Sequence, residues 1–125
     1  MILRIWRGWT TPQNADRYEE LIRATIFPGI LARNIAGLEV LELFRRQMEA
    51  EAEFMTLMRL ASWDAVKAFA GPNWEVSVVP AAARAVLARF DEKATHYELR
   101  VGQGAPAWGS PAYQERQVLN GADDR

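Results

Sequence analysis

Residues 36–62, AGLEVLELFRRQMEAEAEFMTLMRLAS, constrain the fold of this chain more than any other stretch. They hold two strand-like runs, the first beginning after Gly37 and the second at EFMTLMRLAS, separated only by the polar link QMEAEA. So short a link fits an antiparallel hairpin and leaves no room for the helix that joins parallel strands. The rest of the chain must pack around that hairpin.

On either side the pattern repeats. MILRIWRGWT alternates with period two, as a half-buried strand does. TTPQN supplies turn formers, with Asn14 as a helix N-cap, and from Ala15 the residues Tyr18, Leu21, Ile22, Thr25 and Ile26 recur at helical spacing. Pro28-Gly29 predicts a kink or break, with ILARN as a shorter continuation. After the hairpin, Ser62 caps a second helix that opens on Trp63 and stops at Gly71-Pro72. NWEVSVV reads as a loop or single turn, Pro80 opens a further helix over AAARAVLARF, and KATHYELRV is the last strand. The order strand, helix, strand, strand, helix, strand is the ferredoxin-like βαββαβ arrangement, an α+β fold with helices on one face of an antiparallel sheet. Residues 1–101 form that domain, and residues 102–125, rich in Gly, Pro and Ala, are expected to be an extended C-terminal tail in which Trp108 pins the chain down.

Charge narrows the partners. Fifteen basic residues against sixteen acidic ones leave a net charge of −1, with no basic cluster beyond Arg45-Arg46, so nucleic acid is not expected. No apolar run approaches the roughly 18 residues that span a bilayer, and the start lacks a signal-peptide layout, so the expectation is a cytoplasmic protein without a membrane partner. The absence of cysteine removes disulfides and thiolate ligands, and a single histidine argues against a transition-metal site.

Strand alternation then divides the chemistry. Leu3 and Ile5 suit a core under the helices, which places Arg4, Trp6 and Gly8 on the other face. In the last strand Tyr97, Leu99 and Val101 form the apolar set and His96, Glu98 and Arg100 the polar one. The two hairpin strands are apolar on both sides, the mark of a sheet covered on both faces. With no third layer in the chain, the expected cover is a second copy of it, giving a homodimer.

The opening MILRIWRGWT, the segment WDAVKAFAG followed by VVP, and the closing FDEKATHYELR resemble the antibiotic-biosynthesis-monooxygenase-like group of the dimeric α/β-barrel superfamily. The resemblance runs from Met1 to Val101, and rests on Trp63, the FAG of residues 69–71 and the HYE of residues 96–98. It implies a homodimeric barrel. Members include cofactor-free oxygenases of aromatic polyketides, haem-degrading enzymes and proteins without an assigned activity. Where relatives often carry a histidine this chain has Arg7. The haem-degrading branch uses an Asn on the first strand and a helix-borne histidine, and this chain has neither.

The resulting expectation is a mostly apolar pocket in each subunit, between the sheet and its helices, that binds a small aromatic or polyketide-like compound with no metal and no cofactor. His96 is the expected general base, since its ordinary pKa suits proton abstraction near neutrality. Trp6 and Trp74 shape the pocket, and Arg4 or Arg100 steadies an enolate or phenolate, with Glu98 orienting. The anion would react with oxygen, or be reprotonated as in an isomerase or cyclase. The contrasting expectation is a non-catalytic ligand-binding or dimerisation module, in which His96 is only hydrogen-bonded at an interface and Glu98 and Arg100 pair across the sheet.

Overall fold

The computed structural model describes residues 1–105. The expectation for Trp108, and all of the expected tail beyond residue 105, lie outside the described residues. Five strands form one antiparallel sheet: β1 (Ile2–Thr10), β2 (Leu38–Gln47), β3 (Ala52–Leu60), β4 (Arg89–Phe90) and β5 (Thr95–Glu98). The hairpin is as expected. β2 and β3 run antiparallel, and the Met48 N–H donates to the Glu51 carbonyl at 2.8 Å to close the turn between them. β1 lies beside β3 from Ile2 opposite Leu60 to Thr10 opposite Ala52, and β4 and β5 share its other edge, giving the order β2-β3-β1-β4. This is the ferredoxin-like α+β arrangement, with its last strand in two pieces.

The split has a local cause. Gly8 pairs with Phe90 and Ile5 with Thr95, so Trp6 and Arg7 face an inserted bulge, residues 91–94. The bulge turns outward to pair with NWEVSVV: Ser77 N–H donates to the Glu92 carbonyl at 2.9 Å, and Ala94 N–H to the Glu75 carbonyl at 2.8 Å. What the sequence presents as a loop is therefore a strap laid along the sheet edge.

The first helical stretch is α1 (Ala15–Leu21), a wide turn over Ile22–Ile26 with i→i+5 bonding, and α2 (Phe27–Leu31). Its cap differs from expectation. The side chain of Thr11, not Asn14, accepts a backbone hydrogen bond, from Asn14 N–H at 3.3 Å, and a short 3₁₀ turn Pro12–Asn14 precedes the helix. Pro28 does not break the helix. It lacks the N–H needed for the next bond and its ring crowds the preceding turn, and the widened turn just before it absorbs both defects. α3 (Trp63–Ala70) is capped as expected, with Ser62 Oγ accepting from Ala65 N–H at 3.2 Å, and it ends at Gly71 with φ +85°. α4 (Ala81–Arg84) is shorter than the helix expected over AAARAVLARF. Its final residues leave to become β4, because Ala88 N–H reaches the Trp9 carbonyl at 2.8 Å and the Arg89 guanidinium lies 3.9 Å from the Trp9 ring.

All helices lie on one face of the sheet, and two apolar clusters fill the space beneath them. One joins Tyr18, Ile22, Phe54, Ala83 and Val86, and the other Ile2, Met58, Leu60, Val66 and Phe69. β3 thus sends its even-numbered residues under the helices, and β1, paired in register with it, does the same. This reverses the expected parity of β1. Arg4 and Trp6 point toward the helices, and Leu3 and Ile5 point away. The register shift between Leu38 and Val40 explains why β2 looked apolar on both sides. It turns Leu41 and Leu43, like Leu38 before them, toward the helices and leaves Phe44 on the far face beside Met55.

Candidate functional site

Between the two apolar clusters a cavity opens that encloses about 60 Å³, or about 540 Å³ counted with its mouth. Its floor is the sheet, through Arg4 and Trp6 of β1 and Thr56 and Met58 of β3. Its walls are Tyr18, Ile22 and Phe27 of the first helical stretch, Phe69 of α3, and the strap residues Val78 and Val79. The i→i+5 turn contributes Ile22 and Ile26 to the wall, and such wide turns recur at functional sites.

Arg4 is the outstanding group. It is 4% exposed and forms none of the ion pairs among the described residues. Nη1 donates to the Trp74 carbonyl at 2.6 Å and to His96 Nε2 at 3.0 Å, and Nη2 to the Val76 carbonyl at 3.4 Å. The guanidinium carbon lies 5.3 Å from the Phe69 ring centre. Burial pulls the Arg4 pKa down to about 10, and no neighbouring charge counters it. The side chain remains a cation at neutral pH, held by dipoles alone.

His96 stands beside Arg4 in the register of β5 on β1. A guanidinium has donors only, so His96 Nε2 must be the acceptor and the ring proton sits on Nδ1. Burial first, and then the Arg4 charge, push the His96 pKa below its ordinary value, against a smaller opposing pull from Glu75. The ring meets Trp74 edge-on at 5.0 Å and Trp63 at 5.7 Å, and the two indoles are 5.0 Å apart. His96 is not among the residues that line the cavity. Its basic nitrogen is engaged by Arg4, which it helps to hold in place.

The other expected residues divide. Trp6 lines the cavity, with its indole N–H donating to the Asp91 carbonyl at 2.6 Å across the bulge. Trp74 serves through its carbonyl and its ring against His96, and is not in the cavity wall. Glu98 and Arg100 are exposed and reach neither the cavity nor Arg4. Tyr18 and Thr56 are site residues that sequence reasoning missed. Tyr18 is 1% exposed, packs edge-on to Phe54 at 4.8 Å, and has its hydroxyl pKa pushed up to about 12 by burial. Its place on the apolar stripe of α1 was visible in the sequence, and its turn into a cavity was not. Among the described residues no group of three or more His, Cys, Asp or Glu is placed to hold a metal ion, and no helix is long and apolar enough to cross a membrane.

No protein-family profile and no curated protein matches the chain. Solved structures do. One, from Bacillus cereus and provisionally named an antibiotic biosynthesis monooxygenase, superposes with a TM-score of 0.55 at 18% identity, over 83% of this chain and 97% of that one. The chain thus shares the ferredoxin-like α+β fold of an antibiotic-biosynthesis-monooxygenase-like protein.

Proposed function

We propose that this chain is a cofactor-independent monooxygenase-like enzyme that acts in the cytoplasm, as a homodimeric barrel, on a small aromatic or polyketide-like compound. The observation that carries the reading is Arg4, a buried cation without a counter-ion among the described residues, in the floor of a mostly apolar cavity. Such a cation stabilises a negative oxygen far more in a dry site than in water. The aromatic body of the substrate would lie against Trp6, Phe27 and Phe69. Its enolate or phenolate oxygen would meet Arg4, which His96 and the strap carbonyls position. The enolate, which has already lost its CH proton to solvent, adds dioxygen at carbon and takes up a proton, and the resulting hydroperoxide loses water. A CH₂ becomes a carbonyl, one oxygen atom goes to product, and the other leaves as water.

The dimer part rests on the far face of the sheet, where Phe44, Tyr97 and Leu99 are 48%, 56% and 58% exposed. Together with Leu3, Ile5 and Met55 they form an apolar surface of the kind that a partner covers. A sedimentation coefficient of a monomer at micromolar protein counts against this part.

One observation favours a second reading, a binding module without catalysis: no carboxylate and no free imidazole lines the cavity. Oxygen uptake with anthrone, measured at an alkaline pH where the buffer holds part of it as the enolate, separates the two. The enzyme reading expects the full-length protein to raise the rate of quinone formation well above buffer, and Arg4→Met to abolish the increase. Tight binding of anthrone with uptake at the buffer rate overturns it and leaves the binding module.

A further inference from the structure

We infer that the ligand of this cavity enters already ionised, as an aromatic compound whose carboxylate or acidic enol is an anion in solution, and that it sets that anion on Arg4. The inference rests on the reading of the cavity as the binding site. Three observations lead to it, none of which concerns the reaction.

The first is the unfinished coordination of Arg4. A guanidinium carries five N–H donors, and three are placed, on the Trp74 and Val76 carbonyls and on His96. The remaining two find no acceptor among the described residues. One of the two is on Nε, which has no partner among the described residues and is not sealed in, since the only fully buried side-chain polar atom without a partner there is Thr10 Oγ1. Nε and the second N–H of Nη2 form the uncommitted edge of a guanidinium that borders the cavity. A pair of parallel N–H groups on a planar cation fits a carboxylate or an enolate oxygen better than any neutral group.

The second is Tyr18. Its residue is almost fully buried, its hydroxyl has no partner among the described residues, and unlike Thr10 Oγ1 it is not sealed off, because Tyr18 borders the cavity. A buried hydroxyl with a strongly raised pKa stays protonated and can only donate to, or accept from, what occupies the cavity. With the Thr56 hydroxyl it adds donors to the same apolar trough.

The third is the lack of a base. Among the lining residues there is no carboxylate, and the one histidine of the chain has its acceptor nitrogen committed to Arg4. A neutral ligand has no group in the wall to take its proton, whereas an anion needs none. It also restores neutrality to a buried charge, which a neutral ligand of the same shape leaves uncompensated.

The test is binding to the full chain by calorimetry, with two matched pairs: 2-naphthoate against 2-naphthamide, and 2-hydroxy-1,4-naphthoquinone against its methyl ether. The expected result is that at least one anion binds about tenfold or more tightly than its neutral partner. The pair with the larger ratio identifies carboxylate or enolate as the preferred group. The ratio should persist at about 0.5 M salt, where binding to exposed arginines fades, and should fall to near one in Arg4→Met. Arg4→Lys, which keeps the charge without the paired donors, should retain part of it. Equal affinity within both pairs, or a ratio unchanged in Arg4→Met, overturns the inference and leaves the cavity as a neutral-ligand site. Failure of all four compounds to bind overturns the site reading together with it.

Discussion

The two faces of the sheet carry contents opposite to what their positions call for. Under the helices, where apolar side chains collect, stand a buried cation, a histidine beside it and a cavity. On the open face, where polar side chains collect, Phe44, Tyr97 and Leu99 meet solvent. A sequence written only for stability would exchange these sets, since burying charge is costly and exposing aromatics gains nothing. Positions that break a local rule are where function is expected. The inner face breaks it in the way of a ligand site and the outer face in the way of a partner surface.

Substitutions at matched positions test that contrast. Phe54 is 1% exposed beneath Tyr18, and Phe44 stands at the surface on the neighbouring strand. Phe54→Ala should lower the urea-unfolding free energy by about 3–5 kcal/mol. Phe44→Ala should change it by less than about 0.5 kcal/mol in dilute protein and instead weaken self-association in sedimentation. Comparable losses from the two would erase the distinction between faces. Gly37→Ala comes next. The residue has φ +88°, and an added Cβ would come within 2.8 Å of the Ala65 Cβ, at the point where α3 is seated over the inner face. A loss of about 2 kcal/mol is expected on thermal unfolding, and an unchanged midpoint would mean that α3 is not held there. Thr10 sits fully buried, and its hydroxyl has no partner among the described residues. Thr10→Val should raise stability by about 1 kcal/mol, and a loss instead would reveal a hidden partner.

The smallest effect expected is that of pH. The His96 pKa is lowered in the fold, so the unfolded chain takes up the proton first. Its contribution to stability is complete above about pH 6.5 and is lost as the pH falls through the folded value. Protonation also removes the lone pair that accepts from Arg4 and sets two cations side by side. Melting temperatures followed downward from neutrality should fall more steeply for the native chain than for His96→Gln. Parallel curves would detach His96 from Arg4.

The hairpin, the element order and the Ser62 cap were legible in the sequence because each depends on a local pattern: alternation, a polar link, a capping residue before an apolar run. The parity of β1 was not. Leu-Arg-Ile-Trp contains one apolar residue at Leu3 and another at Ile5, and the usual rule sends that pair to the core. In the fold, β1 is in register with β3, whose inner residues Phe54, Met58 and Leu60 set the face, and Arg4 is carried inside with them. The same cause hid the site. Arg4, Trp6 and His96 were singled out together, but the strap that closes over Arg4 depends on a bulge at residues 91–94 and on NWEVSVV pairing with it, contacts far apart in sequence. Pro28 misled for a different reason: the widened turn before it lies in residues that read as ordinary helix.

A ligand binds either the inner face of the sheet or the outer one. Titration of the isotopically labelled full chain with 2-naphthoate, followed by NMR, answers this directly. The expected result is movement of the Trp6 indole N–H and of the Tyr18 ring signals, with Phe44 and Tyr97 unmoved. Saturable shifts at Phe44 and Tyr97 with Trp6 and Tyr18 unchanged would contradict it.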